Sequence, residues 1–509
     1  MISKSLSATI FGLEAKEIEV EVHIQKNIKS FVTVGLPDLA VKESKERVKS
    51  AIINSGFSFP DFSITVNLAP ADLKKEGTLL DLPIALSILS ASKQIEILNK
   101  DSILIAGELS LDGSLRPIRG ALSIAILAKE KGIKSIIIPS QNREEASLIK
   151  GIDIYALSNL KETAMFLMEK LSVEPYPSKN IQEKLNENFE EDFADVKGQF
   201  QAKRVLEIAS AGHHHVLMIG PPGTGKSLLA KRIPTILPQL SYEEIIETTK
   251  IHSIAGLLPE ENNIITQRPF RAPHHTISYA AMVGGGQIIQ PGEISLAHNG
   301  VLFLDEFTEF HRDVLEALRQ PLEEGIVNIS RVNQSISFPS KFLLISAMNP
   351  CPCGFFGHPK KECKCTPNQI QHYQAKISGP LLDRMDMMVE VPALSFDEID
   401  SKSKGENSKE IRERVIKARE IQNKRFKGTN IRTNGEMGPK ELEEFVNLNK
   451  DSKNLLKTAA DRLSLSGRAI HRIQKIARTI ADLEESEEIS PAHISEAIQY
   501  RFLRYFERF

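Results

Sequence analysis

The sequence predicts an α/β protein in three parts: an N-terminal α/β domain, an α/β core around a parallel sheet, and an all-helical C-terminal domain. Three observations carry this. An apolar strand, a glycine-rich loop and a helix follow one another from Val216 to Ala230; β-rich and helical stretches alternate through residues 1–172; helical periodicity recurs through residues 396–509.

In the first part Ile18 to Ile24, Phe31 to Val34, Ile64 to Leu68 and Ile136 to Ile138 read as strands, and Leu82 to Ser90 and Ala121 to Lys131 as helices. The stretch that follows is polar, carries Pro175 and Pro177 and lacks periodicity, so 173–192 is read as a linker. The core spans 193–395. After a second polar stretch, Ser401 to Lys409, the helices Arg412 to Lys427, Pro439 to Leu448, Leu455 to Leu463 and Ala469 to Leu483 fill the third part, 396–509.

With 509 residues the chain holds two to four domains, each able to bury a core. The 64 basic and 66 acidic residues leave a net charge of −2, so any polyanion must be met by local basic surface. Glu14, Lys16 and Glu17 interrupt the N-terminal stretch and no 18-residue apolar run occurs, which predicts a soluble cytoplasmic protein with no membrane partner. The 4 cysteines are too few and too clustered for a secreted disulfide framework.

The loop Gly220-Pro221-Pro222-Gly223-Thr224-Gly225-Lys226-Ser227 is the strongest local signal. Its glycines let backbone N–H groups close around a phosphate, Lys226 reaches the β- and γ-phosphates, and the Ser227 hydroxyl is placed for Mg²⁺ at a helix start. ATP and Mg²⁺ are the implied ligands. Downstream, the strand Val301 to Leu304 runs into Asp305-Glu306. Asp305 there holds Mg²⁺ through water and Glu306 polarises the attacking water, which adds hydrolysis to binding. A third strand, Phe342 to Met348, ends in Asn349, an amide suited to orient that water. Arg384, before the strand Met387 to Val391, and Arg468, at a helix start, read as exposed arginines of the same machinery.

All four cysteines fall in one segment, Cys351-Pro-Cys353 to Cys363-Lys-Cys365. Two such pairs on a short loop supply four thiolates for a tetrahedral structural Zn²⁺, and His358 inside the loop is not needed as a fifth donor. The run His213-His214-His215 precedes a core strand and has no further ligand at useful spacing, so it is not read as a metal site.

The ordered set GPPGTGKS, VLFLDE, SAMNP, LLDRMD and SLSGRA resembles AAA+ ATPases, specifically the magnesium-chelatase-like ComM/YifB group. The resemblance extends to Asp195 through Gln199, similar to a segment lining the adenine pocket, to Arg268 through His275 and Val283 through Gln287, similar to a helix-2 insert, and to Glu324 through Phe338, similar to the hairpin before sensor 1. It implies that Asn349 is sensor 1, Arg384 a trans-acting arginine finger and Arg468 sensor 2 of a helical lid. A trans-acting arginine implies a homo-oligomeric ring, a hexamer. Asn67 through Gly77, Asp81 to Pro83 and Gly107 through Gly120 resemble the Lon-protease-type domain that opens such proteins. Aligning the glycines puts Leu79 where Lon has its serine and Leu122 where it has its lysine, so the domain is expected to be catalytically silent. Lys74 and Lys75 lie nearby and are read as a solvated loop.

The resemblance implies a DNA motor of the branch-migration or helicase type, acting in recombination or DNA uptake. The alternatives are a chelatase-type or chaperone-like ATPase remodelling a protein partner, and an ATP-dependent protease, against which the missing dyad counts. Basic residues near the candidate pore elements are Arg268, Arg271 and Arg331; Arg501, Arg504 and Arg508 are read as a solvated helix face.

Overall fold

The computed structural model describes residues 1–26, 29–75, 77–97, 102–178, 189–259, 263–286, 289–331, 334–358, 360–400 and 405–501. The chain divides into two units: Met1–Leu185 with Ser241–Thr266 and Gly286–Gln290, and Asn186–Leu240 with Gln267–Gly285 and Pro291–Phe509. Much of the linker expected at 173–192 lies outside the described residues. Among the described residues no helix is long and apolar enough to cross a membrane.

The first unit is built on a seven-stranded mixed sheet. Its strands are β1 (Ile2–Phe11), β2 (Glu14–Gln25), β3 (Ser30–Val34), β4 (Ser63–Ala69), β5 (Ile103–Ile105), β6 (Ser135–Pro139) and β7 (Asp153–Leu157), in the order β3-β4-β2-β1-β5-β6-β7. In β2, Ile18, Val20, Val22 and Ile24 alternate inward, the period of two that a half-buried strand requires. β1, not foreseen, turns Ser3, Ser5, Ser7 and Thr9 inward, with Ser5 Oγ 2.8 Å from Ser87 Oγ. Helices α1 (Leu39–Asn54), α2 (Asp81–Ala91) and α3 (Ala121–Glu130) complete the layer.

The segment Ser241–Thr266, expected within the nucleotide core, groups with this first unit instead. Ser253 Oγ donates to Glu145 at 2.5 Å and accepts from the Gly120 amide at 2.9 Å, which ties the helix Tyr242–Ala255 to the start of α3. Leu79 and Leu122 are both buried, so neither of those positions presents a nucleophile or a base. Lys75 is not a solvated loop residue: it is buried, its ammonium donates to the Pro70 carbonyl, and burial lowers its pKa.

The second unit contains a parallel sheet of β8 (Val216–Ile219), β9 (Phe270–Arg271), β10 (Val301–Leu304), β13 (Leu343–Met348) and β14 (Met387–Glu390), in the order β9-β10-β13-β8-β14. Between β10 and β13 an antiparallel hairpin pairs β11 (Ile326–Arg331) with β12 (Gln334–Pro339). Every residue of β8, β10 and β13 is buried, because a parallel sheet is covered on both faces. Pleating splits each strand between two cores. Val216, Met218, Val301 and Phe303 face one with α4 (Phe200–Gly212) and α5 (Lys226–Ile236), and Leu217, Ile219, Leu302 and Leu304 face the other with Phe307 and Phe310.

The C-terminal segment is helical, as expected, through Ser408–Arg425, Pro439–Phe445, Lys450–Arg462, Gly467–Leu483 and Pro491–Gln499. Its described apolar residues share the core beneath the sheet. Ile411, Val415, Ile473, Ile476, Ile480 and Ile494 join the cluster under the sheet. Arg425 grips Asp482 through two hydrogen bonds of 2.5 and 2.8 Å, and Asn434 donates to the same carboxylate at 2.7 Å, so the buried charge in this segment is satisfied. His214 belongs to that interior: its Nε2 lies 2.8 Å from Thr479 Oγ1 and burial holds its pKa down at about 4, a neutral core histidine and not a ligand.

Candidate functional site

The carboxyl ends of β8, β10 and β13 converge on a cavity of about 410 Å³, lined by Pro222 to Leu228, Asp305, Glu306, Met348 and Asn349. This is the end of a parallel sheet where ligands bind. The loop takes its shape from Gly223 (φ 79°) and Gly225 (φ 89°), and the second caps α5, a helix start of the kind that receives anions. Lys226 opens the helix and turns back, donating to the carbonyls of Gly220 at 2.6 Å and Pro221 at 2.9 Å and to Asn349 Oδ1 at 3.3 Å. Burial pushes its pKa down to about 8, with Asp305 opposing the shift. A phosphate arriving there offers this ammonium a stronger partner than neutral carbonyls.

Ser227 Oγ donates to Asp305 Oδ2 at 2.5 Å, so a hydroxyl and a carboxylate meet at one point beside the loop. Hard oxygen donors of this kind suit Mg²⁺. Gln199, N-cap of α4, donates to the Thr224 carbonyl at 3.2 Å and the Pro392 carbonyl at 2.8 Å, tying the loop to the sheet edge. Asp195 pairs with Arg232 at 3.0 Å, a structural contact.

One residue at this site was not singled out by the motifs. His275 Nδ1 lies 2.9 Å from Glu306 Oε2, and its ring packs edge-on to Phe310. The signal available in the sequence was the His274-His275 pair closing the segment after β9, the strand paired with β10.

Arg384 and Arg468 are not at this cavity. Both line a second one, of about 450 Å³, with His215, Phe342 and Asp386. Those three residues immediately precede β8, β13 and β14, so this cavity opens at the amino ends of the strands. A four-residue strand, roughly 13 Å, separates the two ends. Arg468 is 72% exposed and 3.6 Å from Asp383. Arg384, expected to be exposed, is only 10% exposed because it pairs with Glu323.

The four cysteines converge as expected. Sγ of Cys351 lies 3.4 Å from that of Cys353 and 3.6 Å from that of Cys363, Cys353 and Cys363 are 3.6 Å apart, and all four sulfurs lie within 4.8 Å of one another. Four thiolates about 2.3 Å from one ion stand about 3.8 Å apart, so the cluster fits a tetrahedral metal. The Phe356 amide donates to Cys351 Sγ at 3.4 Å. His358 is turned away, its Nδ1 accepting from the amides of Lys360 and Lys361 at 3.0 Å each. The loop also touches the phosphate loop: a Cβ on Gly354 would lie 2.6 Å from Pro222 Cδ.

Two of the arginines expected near a pore are engaged internally. Arg268 donates to the carbonyls of Pro238 at 2.6 Å, Asn299 at 2.7 Å and Gln239 at 3.2 Å. Arg271 holds Glu293 through two bonds of 2.6 Å. Arg501 is no solvated face: its side chain is 9% exposed, donates to the Met385 carbonyl and lies 3.6 Å from Asp383. The side chain of Arg331, the residue Gln287, and Arg504 and Arg508 lie outside the described residues.

A glycine-rich loop ahead of an Asp-Glu strand end, with Asn349 at a third strand end and a helical C-terminal segment on one parallel sheet, is the arrangement of the AAA+ class. Residues 192–399 match magnesium chelatase, subunit ChlI; residues 20–142 match subunit ChlI of Mg-chelatase; residues 405–501 match the magnesium chelatase, subunit ChlI C-terminal family. The chain is 44% identical to competence protein ComM of Haemophilus influenzae over 97% of its own length and 96% of that protein's. It is 45% identical to the uncharacterized protein YifB of Escherichia coli, covering 96% and 95% of the two chains. A probable DNA helicase, MCM9 of Arabidopsis thaliana, is 25% identical over 35% of this chain and 22% of its own. The chain belongs to the ComM/YifB family of magnesium-chelatase-like AAA+ proteins.

Proposed function

We propose that this chain is a cytoplasmic ATP hydrolase that works as a ring of identical subunits, a hexamer by its resemblance, and that the ring moves on DNA. The carrying observation is the separation of two half-sites: Lys226, Ser227, Asp305, Glu306 and Asn349 line one cavity, while Arg384 and Arg468 line another at the opposite strand ends. An arginine there serves a nucleotide bound to the next subunit, so the site is completed only by assembly.

In this reading the loop amides and Lys226 hold the triphosphate, Glu306 takes a proton from the attacking water, Asn349 orients that water, and the neighbour's Arg384 and Arg468 stabilise charge on the transferred phosphoryl. Ser227, and Asp305 through water, would hold Mg²⁺, which would supply positive charge beside the phosphate oxygens. Cys351, Cys353, Cys363 and Cys365 would hold Zn²⁺, which would tie down the loop that follows Asn349. The first unit, Lon-protease-like by resemblance, acts as a silent scaffold.

The DNA reading draws support from competence protein ComM and from the partial likeness to a probable DNA helicase. One observation favours a chelatase-type or chaperone-like remodeller of a protein partner: Arg268 and Arg271 are bound within the fold and not offered to phosphates.

The test measures ATPase rate and assembly with single-stranded, duplex and branched DNA. Stimulation supports the motor; no response to any form leaves protein remodelling as the better account. Mixing Arg384→Ala with Lys226→Ala protein, each inactive alone, should restore turnover, because a finger typically contributes about 10³ to 10⁵ in rate. Confirmed mixed rings that stay inactive refute action in trans.

A further inference from the structure

Arg384 stands beside the foot of the β11–β12 hairpin. One guanidinium nitrogen pairs with the Glu323 carboxylate, another donates to the Pro380 carbonyl at 2.8 Å, and the buried Nε has no hydrogen-bond partner among the described residues. Glu323 lies on the short helix Arg319–Glu324. That helix ends at Gly325, in left-handed backbone at φ 66°, and β11 begins at the next residue. At the other foot, the Ser340 amide donates to the Gly325 carbonyl at 2.8 Å. The cavity that holds Arg384 is thus lined by both feet of the hairpin, Glu324-Gly325 and Ser340-Lys341.

We infer that Glu323 is a positioning residue that stows Arg384 until a neighbour's nucleotide draws it out, and that this exchange links the hairpin to hydrolysis. The inference rests on Arg384 acting in trans. Glu323 is 54% exposed, and an ion pair with one partner in water is weak, whereas guanidinium binds phosphate oxygens through strong charge-assisted bonds. A γ-phosphate therefore wins the competition for Arg384. Once Arg384 leaves, the helix carrying Glu323 loses its tie to the segment before β14, and the strand it leads into is released at its base. In the reverse direction, a strand-bound ligand that shifts the hairpin pulls Glu323 from Arg384 and frees the guanidinium. Glu323 does not line the cavity of Lys226 and Glu306; its effect passes through Arg384.

The test compares full-length Glu323→Gln and Glu323→Asp with the parent. Glu323→Gln should raise the DNA-free ATPase kcat by about two- to fivefold, the weight of an exposed ion pair, with KM for ATP unchanged because the Lys226 cavity is untouched. DNA stimulation should shrink by the same factor, and Glu323→Asp should return both toward the parent. Hydrogen exchange supplies a second readout. In the parent, a non-hydrolysable ATP analogue should speed exchange of the Gly325 and Ser340 amides; in Glu323→Gln these should be fast without nucleotide. Unchanged kcat and unchanged exchange in Glu323→Gln, in rings where the Arg384→Ala and Lys226→Ala mixture regains activity, overturn the latch while sparing the trans finger. A Glu323→Gln ring that is folded but inactive also overturns it, since Glu323 would then be needed for the active geometry. Failure of the mixture itself removes the finger and the latch together.

Discussion

The imidazole of His275 holds the carboxylate of Glu306 at 2.9 Å. Glu306 stands in left-handed backbone at φ 50°, a conformation that a non-glycine residue keeps only where its surroundings enforce it. The contact joins the end of β10 to the segment after β9, so the proposed base is oriented from the neighbouring strand.

Glu306→Gln should keep ATP affinity and lose turnover by about 10² to 10⁴, because the amide retains the shape but cannot accept the proton of water. His275→Ala should also spare affinity yet slow hydrolysis by about tenfold, the share of one orienting hydrogen bond. Fluorescent-nucleotide binding and single-turnover hydrolysis separate the two effects. Parent-like hydrolysis in His275→Ala makes the contact incidental.

Purified protein should carry about one zinc per chain, and Cys351→Ser with Cys353→Ser should lose it, since two thiolates cannot close a tetrahedron. Gly354→Val should keep the metal but weaken ATP binding. Its new side chain meets Pro222 of the phosphate loop, and its backbone is left-handed at φ 81°. Elemental analysis and ATP titration read the two outcomes. Metal-free protein from chelator-free buffers counts against the centre, and normal ATP affinity in Gly354→Val counts against its contact with the loop.

The phosphate loop, the Asp305-Glu306 strand end and the cysteine cluster were legible because each is a local pattern whose chemistry needs neighbours in sequence. β1 was not, because its inward residues are serines and a threonine, and hydropathy reads them as surface. The grouping of Ser241–Thr266 with the first unit was equally hidden, since the Ser253–Glu145 bond spans 108 residues. Arginines misled for a related reason. Arg268 and Arg501 look like surface charge in a sequence, but each meets backbone carbonyls supplied by distant segments.

Glu145 gives the first unit a pH dependence. Burial pushes its pKa up to about 7 from the ordinary 4.5, against hydrogen bonds from Ser253, Asn142 and the Leu122 amide. Below pH 4.5 the acid is protonated in both folded and unfolded chains and costs nothing. As pH rises from 4.5 the unfolded chain ionises first, so stability falls until about pH 7 and then levels. A gap of about 2.5 units corresponds to roughly 3 kcal/mol. Glu145→Gln should flatten this slope, gaining on the parent at pH 8 relative to pH 5 in thermal unfolding of the first unit. Parallel curves at the two pH values contradict the assignment.

Arg268 and Arg331 should separate structure from strand binding. Arg268 bridges three backbone carbonyls, and charged hydrogen bonds of this kind contribute about 1.5 to 3 kcal/mol each, so Arg268→Ala should lower the unfolding temperature of the second unit. It should leave the salt dependence of DNA affinity unchanged in folded protein, because the guanidinium is already committed. Arg331, at the end of β11, is the arginine of the hairpin. If it meets a phosphate, Arg331→Ala should reduce the slope of log K against log salt by about 0.7 to 0.9, one counterion's worth, with little change in unfolding temperature or basal ATPase. Titrations across salt concentrations read this directly. A parent-like slope in Arg331→Ala takes the hairpin away from the DNA backbone, and a reduced slope in Arg268→Ala shows that its carbonyl contacts give way when DNA binds.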